Sequence, residues 1–251
     1  MNAAINRYLS KHGYSKFDLR TVFFDMDGIL FNSMPHHAAA WVRVMQELGL
    51  RFNEQDAYMN EGRTADATIE QFYLKEQGRR LQKTEKEAIH RRKTEFFEAM
   101  GAVEPMNGVA EVLQLFKSQG LDIYVVTGSA TKTLIGRLEH AFPGIFDARK
   151  MITAYDVVHG KPSPEPYQKG LAKAGIKPWQ GLVIENAPLG VQSAVAADIF
   201  TIAVNTGPLP PQVLADAGAD AIFPDMETLL QAWKTQMTSL FPHGKVQTNR
   251  D

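Results

Sequence analysis

Six short apolar runs at wide spacing constrain this chain most: Thr21 to Phe24, Ile123 to Val126, Met151 to Ala154, Leu182 to Ile184, Thr201 to Val204 and Ala221 to Phe223. They are too short for helices and apolar at successive positions, as strands buried on both faces must be. Helical patterns separate most of them, such as Val109, Val112, Leu113 and Phe116 closed by Gly120, and Leu134, Leu138 and Ala141 before Pro143. This alternation predicts an α/β fold: a doubly wound, Rossmann-like parallel sheet with right-handed crossovers. One connection breaks the rhythm, because residues 35–104 carry helix-like segments and no convincing strand, far more than one crossover needs. An inserted all-helical cap domain accounts for it. The expected division is core 1–34, cap 35–104, core 105–242 and a frayed polar tail over 243–251.

The first run ends in Asp25-Met26-Asp27-Gly28. On a strand that stops at Asp25 and turns through Gly28, both carboxylates leave the carboxyl edge together, where open α/β sheets place their ligands. One can attack phosphorus and the other can move a proton, although a bare Asp-x-Asp-Gly also fits an ordinary acidic turn. The insert departs just after this pair and returns before Met106, so it must sit over the same edge as a candidate lid.

Three further strand ends supply partners. Thr127-Gly128-Ser129 offers hydroxyls and backbone amides as phosphate donors, and taken alone it fits a helix cap better. Lys161 stands in His159-Gly160-Lys161-Pro162, whose proline context can hold it in place, although an isolated lysine is usually solvated. Glu185-Asn186 presents two oxygen ligands suited to Mg²⁺, or equally caps the helix that Pro188 opens. The conjunction on one sheet edge carries the argument: phosphoryl transfer needs a nucleophile, a proton carrier, a cation and donors for the equatorial oxygens.

Composition agrees by exclusion. A net charge of -1, from 27 basic and 28 acidic residues interspersed, leaves no footprint for nucleic acid or an anionic membrane. Zero cysteines exclude disulfides and thiolate chemistry. With neither a signal-type segment nor a bilayer-length apolar run, the expectation is a cytoplasmic, monomeric enzyme acting on a small phosphate-bearing molecule.

The four elements Asp25-x-Asp27-Gly28, Thr127, Lys161-Pro162 and Glu185-Asn186 resemble, in order and spacing, the motifs of the haloacid dehalogenase superfamily. The cap that begins Pro35-His36-His37 and leads to Trp41 is similar to that of its β-phosphoglucomutase branch. Within that branch, Asn32 to Pro35, Glu61-Gly62-Arg63-Thr64, Glu185 to Gly190 and Ala203 to Pro208 resemble the inorganic pyrophosphatases of Bacteroides-type bacteria. The resemblance implies Asp25 as nucleophile, Asp27 as general acid and base, and Thr127 and Lys161 as phosphoryl contacts. It also implies Mg²⁺ held at Asp25, Asp27, Glu185 and Asn186, with Glu61 reaching down from the cap to join them.

A cap carboxylate beside the transferring phosphate leaves room for phosphate as leaving group, so inorganic pyrophosphate is the expected substrate. A β-phosphoglucomutase or small sugar-phosphate phosphatase is the alternative, and a non-catalytic phosphometabolite-binding module a remote one. Arg63 is a candidate for the outer phosphate or an ordinary ion pair, and His37 for positioning Asp27 or the hinge. There are departures. Ile29 and Asn32 replace commoner residues, Glu-Asn stands where the mutases have Glu-Asp, and His90 falls where the pyrophosphatases carry a cap tyrosine that limits leaving-group size.

Overall fold

The computed structural model describes residues 1–129 and 134–236. The expected frayed tail at 243–251 lies outside the described residues. Six strands, β1 (Thr21–Phe24), β2 (Asp122–Val126), β3 (Met151–Ile152), β4 (Gly181–Glu185), β5 (Phe200–Val204) and β6 (Ala221–Phe223), form one sheet in the order β3-β2-β1-β4-β5-β6. Every pairing is parallel. Alternate residues feed opposite faces. Val22, Phe24, Val125 and Ile184 join one apolar cluster, while Phe23, Tyr124, Val126 and Val183 join another.

The strand order reverses between β1 and β4, the position where such sheets open a crevice. Phe24 pairs with Ile184 there, and the Asp25 amide donates to the Ile184 carbonyl at 3.0 Å. The ends of the two strands are thereby set side by side. β3 is shorter than expected, ending at Ile152 and not at Ala154. The reason is local: the Thr153 amide and hydroxyl both bond Asp156 Oδ2, at 2.7 and 2.8 Å, and turn the chain into a short 3₁₀ segment over Ala154–Asp156.

Eleven helices accompany the strands among the described residues. The first, α1 (Asn2–His12), packs Ala4, Ile5 and Tyr8 on the core. Four, α2 (Met34–Glu47), α3 (Glu54–Met59), α4 (Ala65–Gln77) and α5 (Lys83–Glu98), make the cap. Local chemistry sets their ends: Asn53 and Asp56 bond reciprocally at the start of α3, and Thr64 caps α4, which stops at left-handed Gly78. The remaining helices are α6 (Val109–Ser118), α7 (Leu134–Ala141), α8 (Glu165–Ala174), α9 (Pro188–Ala196), α10 (Pro211–Asp216) and α11 (Met226–Gln236).

Two linkers join cap and core side by side. Asn32 N donates to Glu104 O at 2.9 Å and Met106 N to Leu30 O at 3.0 Å, so the hinge is a small two-stranded bridge. A second contact comes from the loop after β5. Leu209 is buried within the apolar cluster of the cap, Gly207 lies against the Tyr58 ring, and Thr206 Oγ1 donates to the Gly28 carbonyl at 2.6 Å. That loop therefore ties the cap to the turn that follows the first carboxylates.

Candidate active site

Asp25 leaves β1 with a side chain that burial has almost closed off from water, and Lys161 meets it from the loop after β3. Lys161 Nζ lies 2.5 Å from Asp25 Oδ1, 2.6 Å from Glu185 Oε1 and 3.1 Å from the Val126 carbonyl. The lysine is 3% exposed, so it is a positioned charge and not a solvated one. Tyr167, on α8 and missed in the sequence, donates its hydroxyl to Glu185 Oε1 at 2.7 Å.

Asn186 follows Glu185 and bonds the cap. Its Nδ2 lies 2.9 and 3.0 Å from the two carboxylate oxygens of Glu61, whose side chain is buried under the cap. Gly28 makes this approach possible. At φ +80° it adopts a conformation that other residues resist, and a Cβ there would stand 2.2 Å from Asn186 Nδ2. Glu185 also serves the helix start, accepting from the Asn186 and Ala187 amides at 3.1 and 3.4 Å. The helix-start reading of Glu185 is therefore met, while Asn186 turns its side-chain amide to the cap.

Asp27 faces the other way. Its Oδ1 accepts from Ser33 Oγ at 2.6 Å and lies 3.2 Å from His37 Nε2. Behind the ring, Lys93 Nζ is 2.6 Å from His37 Nδ1. With Lys93 charged, Nδ1 accepts and Nε2 carries the proton toward Asp27. Lys93 was hidden in the sequence by a run of polar neighbours. Its one signal is its place on the buried stripe Ile89, Lys93, Phe96 of α5.

The electrostatics separate the two aspartates. Burial raises Asp25 well above the usual carboxylate range, and the charges of Glu185 and Asp27 add to it against Lys161. Glu61 is raised by burial and by Asp25. For Lys161 burial opposes the charge, but Asp25 and Glu185 outweigh it and hold the ammonium on. Burial also opposes ionisation of Asp27, yet His37 and Ser33, with Lys93 beyond, hold it well below the usual range. Burial lowers Lys93 to about 8.

The remaining expected residues gather around a cavity of 560 Å³ that holds Asp25, Asp27 and Glu61. Thr127, Gly128 and Ser129 form its core wall, and Thr127 Oγ1 accepts from the Ser129 amide at 3.0 Å. His37, Arg63 and His90 line it from the cap, with Arg63 Nε donating to Asn60 Oδ1 at 3.2 Å and His90 on its exposed side. As placed, the side chains serve each other: among the described residues no three His, Asp or Glu side chains form a ready metal-binding group. No helix among them is long and apolar enough to cross a membrane.

Gly190, in the first turn of α9, is the packing requirement of this site. A Cβ there would stand 1.9 Å from Glu185 Oε1. Gly190→Ala is expected to cost about 1–3 kcal/mol by overpacking and to displace Glu185 from Lys161. Thermal unfolding should show the first effect and steady-state turnover the second; an unchanged melting temperature and rate would show that Glu185 moves freely.

A parallel sheet with carboxylates and a buried lysine on one edge, covered by a helical insert, defines a class of phosphoryl-handling and related hydrolytic enzymes. The chain belongs to the haloacid dehalogenase-like hydrolase family, whose model matches residues 19–198. It is similar to a Bacteroides vulgatus structure described as a "putative beta-phosphoglucomutase", at 49% identity and TM-score 0.91 over 96% of this chain and 98% of that one. Hexitol phosphatase A of Escherichia coli (strain K12) is 29% identical over 184 residues, covering 72% of this chain and 81% of the relative. Fructose-1-phosphate phosphatase of the same organism is 29% identical over 194 residues, covering 73% and 95%.

Proposed function

We propose that the protein is a Mg²⁺-dependent phosphohydrolase that takes the phosphoryl group of a small phosphorylated metabolite onto Asp25 and then gives it to water. The observation that carries this reading is the buried Lys161 held between Asp25 and Glu185 while Asp27, two residues on, has separate partners. Binding alone needs no such division between two carboxylates.

The donor set fits a hard divalent cation. Asn186 Oδ1 is buried without a hydrogen-bond partner. Around it, Asp25, Glu61 and Glu185 outnumber the Lys161 ammonium, and burial and mutual repulsion raise Asp25 and Glu61. Asp25, Glu185 and Asn186, with Glu61 from the cap, would hold Mg²⁺; the Asp27 carboxylate, expected from sequence to join them, is engaged instead with Ser33 and His37. When bound it supplies charge neutralisation to an approaching phosphate.

The chain's own residues do the rest. Asp25 attacks phosphorus through a carboxylate oxygen, breaking the bond to the leaving oxygen and forming an aspartyl phosphate. Lys161, Thr127 and the turn amides of Gly128 and Ser129 take up charge on the equatorial oxygens. Asp27 gives a proton to the leaving oxygen and later takes one from water, which attacks phosphorus and frees Asp25. Held ionised in this arrangement, it is in the form that the second step needs. The first requires an environment that raises its proton affinity, as loss of the His37 contact would.

A sugar or polyol phosphate is the first substrate reading. The named relatives act, by their names, on hexitol and fructose phosphates, and a cavity of 560 Å³ has room for such a group. Inorganic pyrophosphate, the expectation from sequence, is the second reading, favoured by Glu61 lying on Asn186 inside that cavity. The test is a phosphate-release screen with pyrophosphate, hexitol phosphates and acetyl phosphate, with and without Mg²⁺, on the wild type and Glu61→Ala. A selective loss on pyrophosphate in the variant would favour the second reading. Full activity after exhaustive metal removal would remove Mg²⁺ from the proposal.

Metal binding should also register without turnover. Groups with folded pKa raised above the unfolded value hold protons in the fold that the unfolded chain releases, so the free protein loses stability as pH rises through that window. Mg²⁺ replaces those protons. Its stabilising effect on the melting temperature is therefore expected to grow as pH rises above the ordinary carboxylate range, since Asp25 and Glu61 are both raised. A shift that is absent, or that shrinks with pH, would place the cation elsewhere.

A further inference from the structure

Tyr155 and Val158 stand in the open at 74% and 82% exposure, about twice that of any other exposed large apolar side chain among the described residues, and both line the cavity that holds Asp25 and Asp27. The loop that carries them, after β3, is tied down on both sides. Thr153 bonds Asp156 through amide and hydroxyl, Ala154 N donates to Ser129 O at 3.2 Å, and Lys169 Nζ reaches the Asp156 carbonyl. Further along, the Val158 and His159 amides donate to the two oxygens of Glu165 at 2.8 and 2.7 Å. The apolar surface is thus presented already ordered, so a ligand meeting it has little left to immobilise.

The cap brings polar groups to the same cavity: Asn60 and Arg63 between α3 and α4, and Asp66 in the first turn of α4. Exposed apolar side chains from the core loop and hydrogen-bonding groups from the cap match a ligand with C–H faces and hydroxyl edges. Pyrophosphate has no carbon and would leave Tyr155 and Val158 as wet as before.

We propose that Tyr155 and Val158 form a leaving-group subsite that takes the C–H face of a sugar or polyol, with its hydroxyls toward Asn60, Arg63 and Asp66. This rests on the phosphohydrolase reading and names its substrate class. Both side chains lie on the surface, so Tyr155→Ala and Val158→Ser should fold normally, which thermal unfolding checks.

The experiment measures kcat/KM of the wild type, the two variants and Tyr155→Phe on glucitol 6-phosphate and on acetyl phosphate, whose leaving group is much smaller, with pyrophosphate measured beside them on the wild type. Each truncation is expected to lower kcat/KM for glucitol 6-phosphate by about tenfold, chiefly through KM, and to lower that for acetyl phosphate far less. Tyr155→Phe should keep most of the wild-type value. Equal losses on the two substrates, or none on either, would overturn the subsite while leaving the hydrolase intact, as would wild-type preference for pyrophosphate over every sugar phosphate. Phosphate release from none of these substrates would remove the hydrolase reading itself, and the subsite with it.

Discussion

Asp25→Asn is expected to lower phosphate release by about four orders of magnitude or more, the scale seen when a nucleophile is removed from a concerted site. The amide preserves shape but cannot form the aspartyl phosphate. Stability should move the other way. Burial and neighbouring carboxylates disfavour the charged form of Asp25, and Lys161 keeps Glu185 and the Val126 carbonyl when that charge is gone. The metal-free variant is therefore expected to melt no lower than the wild type. Single-turnover phosphate release and thermal unfolding measure the two effects; turnover within tenfold of wild type would take the nucleophile role from Asp25.

Asp27→Asn carries the second large effect, a loss of about 10²–10⁴-fold, because proton delivery and water activation both depend on that carboxyl. The pH profile distinguishes this from a packing defect. In the wild type His37, Ser33 and Lys93 hold Asp27 below the usual range, so the acidic limb of aspartyl-phosphate hydrolysis, the step that needs the ionised carboxylate, should lie low. Lys93→Met removes part of that field, and the limb should move to higher pH. In Asp27→Asn the limb should vanish. An acidic limb that survives unchanged in Asp27→Asn would assign proton traffic to another group.

Much of the site was legible in the chain because parallel sheets obey a simple rule: strand ends share an edge. Once Thr21 to Phe24 and its counterparts were read as buried strands, Asp25, Thr127, Lys161 and Glu185 had to meet on one side. The absence of strand patterns between β1 and β2 likewise located the helical insert above them. Where local chemistry competes with the apolar pattern the reading failed, as at β3, where Thr153 and Asp156 end the strand two residues early.

Periodicity along one chain determined the sheet, the insert and the shared edge, since each depends on short stretches that bury themselves in a predictable direction. Only the tertiary structure decided which charges neutralise which. Lys161 reaches Asp25 across 136 positions, Asn186 reaches Glu61 across 125, and Lys93 reaches His37 across 56. Such pairings depend on distances of a few ångströms between elements packed from remote sequence, and on how completely that packing excludes water. The same applies to Tyr155 and Val158, whose place on the cavity of Asp25 and Asp27 no apolar pattern could foretell, because it depends on how Ser129 and Glu165 hold the loop after β3.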